Sequence, residues 1–126
     1  MVIELRPVDF RDIQHWFVDF QKKSRCLEMP PEPAEYVGIF NDTELVGYFI
    51  LQGFDGKTVE VNQGYLKKEY RHLDLADECI RQMEKCCKKA GYKEIRLGTH
   101  NRFRSYLKFM ARNGYRPEHL VFHKDL

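Results

Sequence analysis

Residues 58 to 97 constrain the chain more than any other stretch. Thr58 to Leu66 reads as a strand, a long amphipathic helix follows from about Asp74 to Lys89, and Glu94 to Leu97 reads as another strand. Leu73, Ala76, Ile80, Met83, Cys87 and Ala90 step by three and four along one helix face, which must therefore be buried. Gly91 suits the stop, because glycine readily takes the left-handed conformation found at helix ends. Strand, helix and strand in this order predict a parallel, right-handed crossover on one sheet.

The upstream sequence supplies the rest of that sheet. Val2 to Leu5 reads as a short strand, and Pro7 and Asp9 then open a first helix. Phe10, Ile13, Trp16, Phe17 and Phe20 form its apolar stripe, with Trp16 as a core residue. Pro30, Pro31 and Pro33 make Ser24 to Pro33 a loop, since proline fixes φ and removes a donor. Glu35–Phe40 and Glu44–Gln52 read as a hairpin around Asn41-Asp42-Thr43. Downstream, Arg102 to Arg112 reads as a last helix with Phe103, Tyr106, Leu107 and Met110 on its apolar face, and Leu120 to His123 as a closing strand. The order β-α-loop-β-β-β-α-β-α-β predicts an α/β fold: one mixed sheet with helices packed on its faces.

At 126 residues the chain is expected to form a single domain, 1–126, with a core that needs no metal or disulfide. A balance of 21 basic against 19 acidic residues argues against nucleic acid as a partner, despite Arg102, Phe103 and Arg104. No apolar run approaches membrane-spanning length, and the N-terminus lacks a signal-peptide layout, so a cytoplasmic protein is expected. Cys26, Cys79, Cys86 and Cys87 contain no C-x-x-C pair and read as reduced, mostly packed thiols rather than metal ligands. His15, His100, His119 and His123 show no ligand spacing.

Leu66-Lys67-Lys68-Glu69-Tyr70-Arg71-His72-Leu73-Asp74-Leu75-Ala76 leads into the long helix. This segment resembles the P-E-Y-R-G-x-G-x-G/A signature of the GNAT acyl-CoA N-acyltransferases. Glu69-Tyr70-Arg71 matches E-Y-R, and Arg71 and Ala76 match the ends of the R/Q-x-x-G-x-G/A core. Asn101, the stretch Phe109 to Tyr115 and the terminal Phe122 to Leu126 resemble later family features, so the resemblance spans nearly the whole chain. It implies the GNAT fold, acetyl-CoA as acyl donor, and direct attack by an amine on the thioester carbonyl. The amine would belong to a small molecule or a protein and enter near the first helix and the Ser24–Pro33 loop.

The resemblance makes Leu66, Lys67, Lys68, Arg71, His72, Leu73, Asp74, Leu75, Ala76 and Asn101 candidates for holding the cofactor. A helix N-terminus offers unpaired N–H groups and a positive dipole end, which suits a pyrophosphate. Three departures stand out. His72 and Asp74 replace two glycines, Met110 stands where the family has a tyrosine, and Asn101 is displaced by two residues. Asp74 either opposes the phosphates, with Asp77 and Glu78 adding to the repulsion, or caps the helix and closes the site from within. At about 4 Å, two like charges repel by roughly 1 kcal/mol in water and roughly 4 near a protein surface. Lys67, Lys68, Arg71 and His72 are either a phosphate-binding rim or a solvated loop.

Tyr106 is the candidate general acid, or a core residue on an apolar face. Glu60, six residues before Leu66, stands where the resemblance implies a general base, and is either that base or an outward strand charge, with Asn62 and Gln63 as alternative water-holding groups. The competing function is a non-catalytic GNAT-fold protein that binds a partner. A free sheet edge leaves a homodimer open.

Overall fold

A computed structural model of the chain describes residues 2–24, 33–54, 56–97 and 111–116. Its elements are β1 (Ile3–Pro7), α1 (Phe10–Ser24), β2 (Glu35–Asn41), β3 (Glu44–Phe54), β4 (Thr58–Leu66), a 3₁₀ turn (Lys68–Tyr70), α2 (Leu73–Lys89) and β5 (Glu94–Leu97). The strands form one five-stranded sheet in chain order, antiparallel from β1 to β4. β4 and β5 pair in parallel, as a strand–helix–strand crossover requires.

Two sequence expectations shift here. Pro7 belongs to β1 and not to the helix, paired opposite Val37. Among the described residues β1 is a sheet edge, where a missing N–H is tolerated. α1 therefore opens later, at Phe10. Asp12 Oδ2 accepts the Asp9 backbone N–H at 3.0 Å, and the Asp12 N–H returns to the Asp9 carbonyl at 2.9 Å, a reciprocal cap that fixes the start.

The alternation of β3 distributes the core onto both faces of the sheet. Phe49 and Leu51 pack with Leu75, Cys79, Ile80, Met83 and Cys87 of α2. Tyr48 and Ile50 pack with Ile13 and Phe17 of α1. The two helices thus cover opposite faces. Gly91 at φ 98° ends α2, with its N–H on the Lys88 carbonyl and the Tyr92 N–H on the Cys87 carbonyl. Burial pushes the Cys79 and Cys87 thiols up to about 11, so both stay protonated and act as packing groups.

The last helix is described only at its end, where Ala111 and Arg112 are helical. That end is tied to α2. Arg112 Nη2 and Asn113 Nδ2 donate to Asp77 Oδ1 at 2.8 and 3.0 Å, and the Tyr115 hydroxyl donates to Glu84 at 3.0 Å. Cys26, Asn101, Arg102, Phe103, Arg104, Tyr106 and Met110, the closing strand Leu120 to His123 and most of the Ser24–Pro33 loop lie outside the described residues. No helix among the described residues is long and apolar enough to cross a membrane.

Candidate active site

β4 carries one residue more than β3 can pair. Ile50 pairs with Gln63 and Leu51 with Val61, so Asn62 is an extra, bulged residue. Among the described residues the β4–β5 pairs run from Thr58–Glu94 to Val61–Leu97, and β4 itself runs on to Leu66. Along that continuation lies an apolar cleft of about 120 Å³, lined by Val61, Gly64, Leu66, Ala76, Ile80 and Leu97 among others. It runs between β4 and the first turns of α2. Asn62 Nδ2 is buried beside the bulge and has no hydrogen-bond partner among the described residues. A buried, unmet donor costs roughly 1–3 kcal/mol, so the Asn62 amide is available to an acceptor that reaches it.

The start of α2 corrects the reading of Asp74 as a cap. His72, in extended conformation at φ −113° and ψ 153°, is the N-cap residue, and its side chain makes no capping hydrogen bond. The 3₁₀ turn consumes the residues before it: the His72 N–H bonds the Tyr70 carbonyl, and His72's own carbonyl takes the Ala76 N–H at 3.0 Å. Asp74 is exposed, in the first turn, and makes no hydrogen bond or ion pair among the described residues. The N–H groups of Leu73, Asp74 and Leu75 are those a helix leaves without internal partners. Leu75 is buried in the core and offers only its backbone.

The supposed repulsion from Asp77 and Glu78 is also corrected. The Arg112 guanidinium pairs with the Asp77 carboxylate at 2.8 Å and offsets its charge, and with the Asn113 amide holds that carboxyl below its ordinary value. Glu78 is likewise lowered by Arg81, whose Nη2 lies 2.7 Å away, and by Gln82. Asp77 and Glu78 are thus ion-paired with Arg112 and Arg81, whereas the Asp74 side chain has no ion pair among the described residues and feels the Arg81 charge only at a distance.

The basic loop is anchored rather than simply solvated. Glu44, on β3, accepts from the Tyr70 hydroxyl at 2.8 Å and from Lys67 Nζ at 3.2 Å. Arg71 Nε donates to the Leu66 carbonyl, and its guanidinium lies 5.1 Å from the Tyr65 ring centroid. Lys68 and His72 are exposed. The Tyr70 and Lys67 bonds hold the Glu44 carboxyl below its ordinary value. This anchor is therefore complete above about pH 4.5 and is lost as pH falls through the lowered Glu44 value. Amide-exchange protection at residues 67–72, corrected for intrinsic rates, is expected to drop in that acid window. In Glu44→Gln the protection should be weaker already at neutral pH and lack the acid step.

On the α1 face, Trp16, Tyr48 and Tyr65 form an aromatic stack. The Trp16–Tyr65 and Tyr48–Tyr65 centroids are 5.2 and 5.5 Å apart. Trp16 is thus half-buried at the edge of a three-element cluster rather than in the core interior. Behind it, Gln63 Nε2 donates to the fully buried Tyr48 hydroxyl at 2.6 Å. Gln63 is thereby committed to a structural bond. Glu60 is half-buried on β4 between Val59 and Val61, which face α2, so alternation places it on the α1 side of the sheet. It pairs with Gln52 on β3 and stands in register with Arg96 on β5.

A bulged β4, an apolar cleft beside it and the nearby start of α2 are the features this geometry offers for a site. The Acetyltransferase (GNAT) family model matches residues 3–115, and the chain belongs to that family. Among individual proteins it is 32% identical over 83 residues to a spermidine N(1)-acetyltransferase of Thermoplasma acidophilum, covering 66% of this chain and 51% of that protein. The match thus spans about half of the relative's length. Solved structures share the fold at low identity. YycN of Bacillus subtilis aligns with a TM-score of 0.81 at 13% identity over 99% of both chains. A ribosomal-protein-alanine N-acetyltransferase of Brucella melitensis biovar Abortus aligns at 0.72 and 13% over all of both chains. The aminoglycoside N-acetyltransferase AAC(6')-Iy in complex with CoA aligns at 0.68 and 12%, over 98% of this chain and 95% of that one.

Proposed function

We propose that the chain is an N-acyltransferase that takes an acetyl group from acetyl-CoA and passes it to an amine by direct attack. The observation that carries this reading is the first turn of α2, without a side-chain cap from His72, opening beside the apolar cleft along β4. Pyrophosphate oxygens would accept from the Leu73, Asp74 and Leu75 N–H groups, with Lys67, Lys68, Arg71 and His72 supplying positive charge around them. The pantetheine arm would follow the apolar wall of Val61, Leu66, Ala76 and Ile80. The acyl carbonyl would then reach the bulge, where the Asn62 amide supplies a donor suited to the oxyanion of the tetrahedral intermediate.

Glu60, on the α1 side, is proposed as the base that frees the attacking amine. Tyr106, outside the described residues, is proposed as the acid for the departing thiolate, and Asn101 as a further cofactor contact. The spermidine acetyltransferase and the aminoglycoside enzyme make small polycationic amines the first acceptors to try.

Calorimetric titration of acetyl-CoA tests the reading. The wild type is expected to bind, and Asp74→Asn about tenfold or more tighter, because removing one exposed carboxylate relieves roughly 1–4 kcal/mol of repulsion. Binding by neither protein would overturn the reading and leave a GNAT-fold protein that serves another partner.

A further inference from the structure

The ammonium of Lys67 marks a site built for a cation. Nζ lies 3.2 Å from Glu44 Oε1 and 5.9 Å from the centroid of the Trp16 ring. A carboxylate and an aromatic face thus flank the same point. Next to it, the Arg71 guanidinium lies over Tyr65, which packs against Trp16. Both cations belong to the loop that the transferase reading assigns to the phosphates. Lys67 is held by the Glu44 carboxylate and the Trp16 face, and Arg71 by the Leu66 carbonyl and the Tyr65 face, so the pyrophosphate competes with all of these. An exposed aromatic face and a single exposed carboxylate hold a cation weakly, whereas a pyrophosphate offers several charged oxygens for charge-assisted bonds.

We propose that the acceptor carries a second positive charge, and that this charge docks between Glu44 and Trp16 in the place Lys67 fills in the free protein. The inference rests on the transferase reading for its trigger. Acyl-CoA draws Lys67 and Arg71 toward its phosphates, which uncovers the Trp16 and Tyr65 faces and releases one Glu44 oxygen. Until then Lys67 excludes the acceptor twice, by occupying the site and by like charge. The two ligands thereby favour each other's binding, and linkage makes that coupling reciprocal. A diamine fits this arrangement: one ammonium stays charged at Glu44 and Trp16 while the other end loses its proton and attacks.

The probes are 1,4-diaminobutane and butylamine, which share a carbon chain and differ by one ammonium. In calorimetry without cofactor, Lys67→Met is expected to bind 1,4-diaminobutane about tenfold more tightly than the wild type does. Adding CoA to the wild type should recover a similar gain. Equal affinity in the wild type and Lys67→Met would overturn the proposal whatever the fate of the transferase reading, since this comparison needs neither cofactor nor turnover. In kinetics with acetyl-CoA, kcat/KM for the diamine should exceed that for butylamine by about tenfold. The ratio should fall toward one in Trp16→Leu and be kept in Trp16→Phe, which retains an aromatic face. A ratio untouched by Trp16→Leu also overturns the proposal. Transfer to neither amine, with tight diamine binding to Lys67→Met, would instead sink the transferase reading and leave the cation site standing. Trp16 is the single tryptophan of the chain, so its fluorescence should report CoA binding directly.

Discussion

Glu60→Gln is expected to lower kcat by about two orders of magnitude or more at neutral pH, with little change in the KM for acetyl-CoA. An alkylamine titrates near the lysine value of about 10.4, so at pH 7 fewer than about one molecule in a thousand carries the lone pair that attack needs. A base within reach of that amine supplies the missing step. Glu60 is the carboxylate that β4 presents on the α1 side, two residues from the bulge at Asn62. Its neighbours in register are Gln52 and Arg96, and Arg96 itself bonds Glu94 at 2.9 Å. The sign with pH is specific. The variant must rely on free amine already in solution, which increases about tenfold per pH unit below the amine's own value. The wild-type to variant ratio should therefore shrink steadily as pH rises toward 10. A kcat unchanged by Glu60→Gln at every pH would return Glu60 to the role of an outward strand charge.

The parts of this fold legible in the sequence are those set by periodicity. Thr58–Leu66, Glu94–Leu97 and the end of α2 before Gly91 follow from alternation, short apolar runs and a three–four stripe. What escaped reading depends on partners remote in sequence. Pro7 looked like a helix opener, because proline favours that position, but edge pairing with Val37 claimed it. Asp74 looked like an N-cap by residue type. The 3₁₀ turn at Lys68–Tyr70 set the helix start two residues earlier, at His72, and moved Asp74 into the first turn. The Asp77–Arg112 contact joins residues far apart in the chain, so charge counting near Asp77 overstated the repulsion. The Trp16 stripe is periodic and reads as core. Only the register that places Tyr48 opposite Tyr65 shows that Trp16 completes a stack. A bulge leaves no compositional trace, and Asn62 and Gln63 read alike until one is bonded to Tyr48 and the other left unmet among the described residues.

Gly47→Ala is expected to cost about 2–3 kcal/mol and to weaken acetyl-CoA binding at the same time. A Cβ at Gly47 would lie only 2.3 Å from the Tyr65 carbonyl oxygen, 3.1 Å from the Leu66 Cα and 3.2 Å from the Ile39 Cδ1. The first two are backbone atoms, so no rotamer change relieves the overlap, and β3 and β4 must move apart. The strain falls where the site can least absorb it. Gly47 pairs with Leu66, and the Lys67 N–H bonds the Val46 carbonyl at 2.8 Å, so the displaced strand end carries the whole 67–72 loop with it. The overlap also separates the Leu66 side of the cleft from Ala76 and Ile80 on α2. Gly56→Ala makes a suitable contrast. Gly56 has φ 75° and nothing within 4 Å of a Cβ, so its substitution meets only backbone strain. That strain should cost about 1 kcal/mol and leave cofactor affinity unchanged. In thermal melts, Gly47→Ala should lower Tm by roughly 5–15 °C, about two to three times the Gly56→Ala shift. Calorimetry below both transitions should show affinity for acetyl-CoA lost only in Gly47→Ala. Equal behaviour of the two variants would mean that the close approach of β3 to β4 does not set the position of the cofactor loop.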